Sequence, residues 1–160
     1  MKKAFLTVFV CLATLVVSCG CKQEKGLKGL LLSENEKIDT LSYIVGMDVA
    51  NSIEKNMIPF FKVNYDAMME ALVKALDPKA TVEVEGESFT KENFREFGDK
   101  YMSNEFRERV MAAQNDSTAN IYTDEKERNI ISAILGADIA YSASNVQFEL
   151  DNRSLVTAIN

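Results

Sequence analysis

The sequence predicts an all-α fold, two tandem helical-pair repeats joined by a long helix. Apolar residues recur every three or four positions through several segments, as one buried face of a helix requires. Capping residues open those segments and helix-breaking residues close them. A stretch of the first half also reappears, without gaps, 90 residues later.

The chain opens with Lys2 and Lys3, followed by a run from Ala4 to Val17 that is apolar apart from Thr7 and Thr14. Crossing a bilayer needs about 20 apolar helical residues, so this shorter run is expected to be a cleaved leader. Val16, Val17 and Ser18 fill the three positions before Cys19 as in a bacterial lipobox, which makes residues 1–18 a lipoprotein signal peptide and Cys19 the site of lipid attachment. Residues 19–32 are rich in glycine and lysine at their start and are expected to form a flexible tether. With Cys11 in the leader and Cys19 acylated, Cys21 has no partner, and stability must come from apolar packing.

Ser33-Glu34-Asn35-Glu36 has the form of a capping box, and a first helix is expected to start there. Its core face reads Ile38, Leu41, Ile44, Val45, Val49 and Ile53, and it ends near Asn56 to Pro59. Asn64 caps a second helix with the cleanest stripe of all, Tyr65, Met68, Met69, Leu72, Val73 and Leu76, stopped by Asp77-Pro78. The segment from Lys79 to Gly86 alternates like a strand but shows no obvious partner, so it is read as a loop. Thr90 opens a long helix from about Lys91 to Ala113, with Gly98 weakening its middle. After a polar linker, Thr123-Asp124-Glu125 starts a fourth helix with core face Ile130, Ile131, Ile134, Leu135 and Ile139. A loop from about Ser144 to Leu150 leads to a last helix, capped by Asp151 or Asn152, in which the sequence stops at Asn160.

Residues 41–53 align on residues 131–143 with six identities in 13 positions, Ser42/Ser132, Ile44/Ile134, Gly46/Gly136, Asp48/Asp138, Ala50/Ala140 and Ser52/Ser142. Chance, at about one in sixteen per position, would give fewer than one. After a contraction of three residues the second helices match as well: Asn64 with Asp151, Met68 with Leu155, Ala71 with Ala158 and Leu72 with Ile159. The domains expected are therefore 33–114, a first copy, and 122–160, a second and truncated one. In each copy the small residues, Ser42, Gly46 and Ala50 or Ser132, Gly136 and Ala140, lie at i, i+4 and i+8 on one helix face. A glycine inside a helix costs about 1 kcal/mol against alanine, so a pair at equivalent places implies close backbone approach, within the chain or across two chains. Asp48 and Asp138, two residues beyond each glycine, are read as exposed or capping carboxylates.

Composition narrows the chemistry. The 160 residues include no histidine, which removes imidazole relays and His-based metal sites. The formal charge is −6, and −8 once residues 1–18 are removed, so nucleic acid is not an expected partner. No catalytic residue, metal site or cofactor is expected. Met68 and Met69 with Phe94, Phe97 and Tyr101 could supply an apolar surface for client polypeptides, although core filling is the commoner role for such residues.

The run Leu41-Ser-Tyr-Ile-Val-Gly-Met-Asp-Val-Ala50, a loop, and Val63-Asn-Tyr-Asp-Ala-Met-Met-Glu-Ala-Leu-Val-Lys-Ala-Leu76 resembles the amino-terminal helical domain of FKBP-type peptidyl-prolyl isomerases of the macrophage infectivity potentiator kind. The resemblance covers residues 38–113 once and 130–160 a second time in part. It implies a homodimer built by intertwined helices, a long connecting helix, and a lipid-anchored protein facing the periplasm, with the outer membrane as the expected site. Unfolded or proline-containing polypeptides are the partners it implies. A catalytic FKBP sheet with a tryptophan floor has no counterpart here, since the chain holds no tryptophan and residues 114–160 repeat the helices. The expectation is a dimerisation and chaperone-like module without isomerase activity, in a chain that looks cut short.

Overall fold

The computed structural model describes residues 26–160 apart from Asn115 and Ser117. The expected signal peptide, the expected lipid site Cys19 and the start of the expected tether lie outside the described residues. The fold is mostly helical: α1 (Leu27–Leu30), α2 (Thr40–Ser52), a π-helical turn (Ile53–Met57) leading into α3 (Ile58–Phe61), α4 (Tyr65–Ala75), α5 (Phe94–Tyr101), α6 (Asn104–Ala113), α7 (Glu125–Ala143) and α8 (Asn152–Ile159). A two-stranded hairpin, β1 (Val82–Val84) and β2 (Glu87–Phe89), stands between α4 and α5.

Where the sequence offers a short polar side chain ahead of an apolar stripe, a helix begins. The Asn64 carboxamide oxygen accepts from the backbone of Asp66 and Ala67, the Asp124 carboxylate from Glu127, and the Asp151 carboxylate from Ser154. Each satisfies backbone donors that the first helical turn leaves unpaired. The first long helix starts later than Ser33. The Ser33–Glu36 box does close, with Ser33 N–H and Oγ both donating to Glu36, but it makes an isolated turn, and Asp39 caps α2 by accepting from the backbone and hydroxyl of Ser42.

Three further expectations are corrected. Leu27–Leu30, expected in the flexible tether, form α1, which packs on α8 and α4, and Leu32 N–H donates to Thr157 Oγ1 at 2.9 Å. The segment read as a loop is the first strand of an antiparallel hairpin, Val82 opposite Phe89, whose partner lies just past a turn. That turn places Glu85 and Gly86 at φ 52° and 79°, the paired left-handed geometry that lets a two-residue loop follow the strand twist. The long helix from Lys91 to Ala113 is broken. Met102 leaves helical geometry and Ser103 caps a new helix by accepting from Phe106 N–H at 3.4 Å, so α5 and α6 are separate elements.

Neither copy folds chiefly on itself. α2 packs chiefly against α8, and α4 chiefly against α7, so the first helix of each copy lies on the second helix of the other. The 33–114 and 122–160 segments therefore share one core. Met68, Met69 and Leu72 of α4, Ile130, Ile131 and Ile134 of α7, and Leu155 and Val156 of α8 all belong to that core. The hairpin and α5 close the outer side of α7. Phe97 sits 4.6 Å from Phe89, and Phe94 lies edge-on to Tyr141 at 5.0 Å, pairings that add to apolar burial. On the other side Phe106 of α6 lies between Phe61 and Tyr122, and the Tyr122 hydroxyl donates to the Phe61 carbonyl.

Candidate functional site

The centre of the molecule is the double crossing of small-residue faces. A Cβ placed on Gly136 would overlap the carbonyl oxygen of Met68 and come within 2.8 Å of its carbon, so the backbones of α7 and α4 are in direct contact. A Cβ on Gly46 would sit 2.6 Å from both the Leu155 carbonyl oxygen and the Ala158 side chain. Leu155 and Ala158 are the residues that align with Met68 and Ala71. The two glycines therefore both meet the carbonyl of the aligned residue, Met68 or Leu155, while their further neighbours differ, Leu72 against Ala158.

The serines one turn earlier repeat the pattern. Ser132 Oγ accepts the backbone N–H of Asn64 at 2.8 Å, and Ser42 Oγ accepts that of Asp151 at 2.8 Å. Both serines are fully buried. Each thereby satisfies the N–H of the residue that caps the opposing helix, a donor that would otherwise be stranded away from water. Their own hydroxyl protons go to different acceptors, that of Ser42 to the Asp39 carboxylate at 2.6 Å and that of Ser132 to the Arg128 carbonyl one turn back. The difference follows from helix length: α2 starts just before its serine and leaves a capping carboxylate there, whereas α7 has already run through a turn. The Ser42 hydroxyl, followed by its backbone N–H, holds the Asp39 carboxyl below the usual carboxylate range.

Two ion pairs pin the periphery. Arg153 meets Glu36 at 2.6 Å and also donates to the Leu31 carbonyl, which fastens the amino-terminal segment to α8. That hydrogen-bonded guanidinium, with Ser33, lowers the Glu36 carboxyl to about 2. Arg109 of α6 meets Glu127 at 2.6 Å and donates to the Ile121 carbonyl, and the guanidinium holds Glu127 at about 2. A carboxyl with a lowered folded value stabilises the fold fully above its free value of about 4.5 and loses that contribution as pH falls toward 2. Glu127→Gln is therefore expected to cost about 1 kcal/mol at neutral pH, allowing for solvent screening, and to flatten the loss of stability between about pH 4.5 and 2. Urea melts across that range check it.

The residues expected to form a client surface sit elsewhere. Met68 and Met69 are fully buried between α4 and α7, and Phe97 is buried under the hairpin. Phe94 and Tyr101 are half-buried and packed against the core. These five side chains hold layers together, and the apolar-surface reading is corrected to core for Met68, Met69 and Phe97. Three residues that the sequence placed inside are exposed instead, Ile38, Leu41 and Ile44 at 45%, 49% and 53%, with Met47 exposed alongside them. The inner face of α2 is the small one, Ser42 and Gly46. Asp48 and Asp138 are exposed, one on α2 and one on α7.

Among the described residues, no three His, Cys, Asp or Glu side chains group as a metal site, and no helix is long and apolar enough to cross a membrane. Comparison with protein-family models, with curated proteins and with solved structures finds no match to this chain. What the geometry defines is a mostly helical unit in which α2 packs on α8 and α4 on α7, each pair in close contact at a glycine.

Proposed function

We propose that the protein is an exported, lipid-anchored helical scaffold related to the amino-terminal module of FKBP-type isomerases, which holds polypeptides and does not itself turn prolines. The observation that carries this reading is the crossing of α2 with α8 and of α4 with α7 at Gly46 and Gly136. In the family that the sequence resembles, two subunits intertwine such helices. Here both sets of helices belong to one chain, so a single molecule builds the unit that a homodimer would otherwise supply. The small faces Ser42, Gly46 and Ala50 and Ser132, Gly136 and Ala140 are its internal seam. Lipid on Cys19 would hold the unit at a membrane facing the periplasm, the outer membrane by the same resemblance. The exposed apolar residues of α2 give it a surface for non-directional burial of client chain, worth about 25 cal/mol for each Å² removed from water.

The protein lacking residues 1–25 retains every contact described above and is the form to test. It is expected to sediment as a monomer, to slow aggregation of a chemically denatured protein at equimolar ratio, and to leave cis/trans exchange of a proline-containing peptide at its spontaneous rate. Acceleration of that exchange overturns the non-catalytic reading. Aggregation that proceeds unslowed removes the chaperone-like role and leaves a structural lipoprotein.

A further inference from the structure

The outward stripe of α2 has a covered counterpart in the same molecule. At the 90-residue shift, Leu41, Ile44 and Met47 correspond to Ile131, Ile134 and Ala137. The first three are about half exposed, and the second three are 3% exposed or less. On α7 the segment that follows α4 adds a layer: β1 touches α7, α5 lies against it, and Ile134 shares a groove with Phe94 of α5. A second pair tells the same story. Phe61 and Phe148 align, yet Phe61 stacks on Phe106 of α6 while Phe148 stands 43% exposed. Two separate apolar places are bare in one half where residues 82–113 cover their mates in the other.

Charge follows the same division. Asp138 shares a groove of about 290 Å³ with Ile134 and Leu135 on one wall and Phe94, Arg95 and Arg107 on the other. The aligned wall of α2 is Ile44, Val45 and Asp48, with Asp48 exposed beside exposed Ile44. The α2 wall thus offers the same apolar pair and the same carboxylate that α7 presents to an aromatic, arginine-bearing helix. Among the described residues nothing covers this stripe, and an exposed apolar face of this kind on a small domain marks an interaction site.

We infer that the Leu41–Ile44–Met47 face of α2, with Asp48 at its edge, docks a segment of a partner protein built like residues 82–113: a short hairpin followed by a helix with aromatic residues three apart and an arginine beside them. This rests on the proposed reading of the fold as two crossed copies, and it assigns a specific partner to the α2 face that would also hold denatured clients. The face offers anchors at i, i+3 and i+6, with the Asp48 carboxylate at its edge for a basic side chain of the partner.

The probe is a fluorescent peptide of residues 79–113 of this chain, titrated into the protein lacking residues 1–25 and followed by anisotropy. Saturable binding is expected, weakened at least tenfold by Ile44→Asp, severalfold by Asp48→Lys, and left unchanged by Met111→Asp, a substitution at an exposed apolar residue of α6. Circular dichroism melts confirm that each variant folds. Absence of saturable binding, or binding that Ile44→Asp leaves intact, overturns the inference. So does self-association of the protein that Ile44→Asp abolishes, which would assign the face to a second copy. Slowed aggregation that persists alongside such a failure would leave the client-holding reading standing, and the Gly136 melts below report on the crossing itself.

Discussion

Gly136→Ala is expected to destabilise the protein by about 2–4 kcal/mol, although alanine is the better helix former. Propensity alone favours the substitution by about 1 kcal/mol. Against it stands the Met68 carbonyl, which a Cβ on Gly136 would overlap. A flexible side chain could turn away, but this neighbour is backbone, in the second turn of a helix fixed at its start by the Asn64 cap. The only relief is for α4 to retreat from α7, which loosens the buried Met68 and Leu72 together. Overpacking of a dense core costs about 1–3 kcal/mol and more where the backbone must move. Since a domain of this size has about 5–15 kcal/mol in all, a fall in Tm of about 10 °C is expected. Gly46→Ala should cost less, about 1 kcal/mol, because α8 is a short helix of eight residues and the contact is shared with the Ala158 methyl. Thermal and urea melts of the two variants order them. A Gly136→Ala protein as stable as the parent would show that the two backbones are not in contact.

The glycines were legible in the sequence because they break a local rule twice at equivalent places. So were the caps: Asn64 opens α4, and Asp151 opens α8, where short polar side chains and apolar periodicity agree. What was not legible is which face of α2 turns inward. Ile38, Leu41 and Ile44 have the spacing of a core stripe, and hydropathy alone puts them inside. The structure turns Ser42 and Gly46 inward instead, because only the small face allows α8 to approach. In α7 the same two faces are both buried, since the hairpin and α5 supply the second layer. A stripe thus reports that a surface is apolar, and the presence of a covering element elsewhere in the chain decides whether it is core.

The hairpin was missed for a related reason. Its partner strand is only three residues long and begins immediately after Gly86, so it gives no periodic signal of its own. The one available clue was Glu85-Gly86 between Val84 and Glu87, a two-residue loop ending in glycine. The break between α5 and α6 left an equally faint trace. Ser103 is a good cap in the middle of a stretch otherwise suited to helix, and the two halves turn different aromatic residues, Phe97 and Phe106, toward different neighbours.

Ser132→Ala should cost about 1–3 kcal/mol, and Ser42→Ala a comparable amount. Each substitution removes the acceptor of a backbone N–H, at Asn64 or at Asp151, in a place closed to water. The alanine side chain fits the space, so no clash obscures the measurement, and what is left is the desolvation cost of an unpaired donor. Ser42→Ala also releases the Asp39 carboxylate from the hydroxyl that lowers its pKa, which should bring that carboxyl back toward its ordinary range. The two sites lie on different helix pairs, so the double variant is expected to show the sum of the single losses to within about 0.5 kcal/mol. Concentration adds a second readout. If both hydrogen bonds close within one chain, Tm is the same at micromolar and at hundred-fold higher protein concentration, for the parent and for each variant. A Tm that rises with concentration would mean that the helices cross between two molecules.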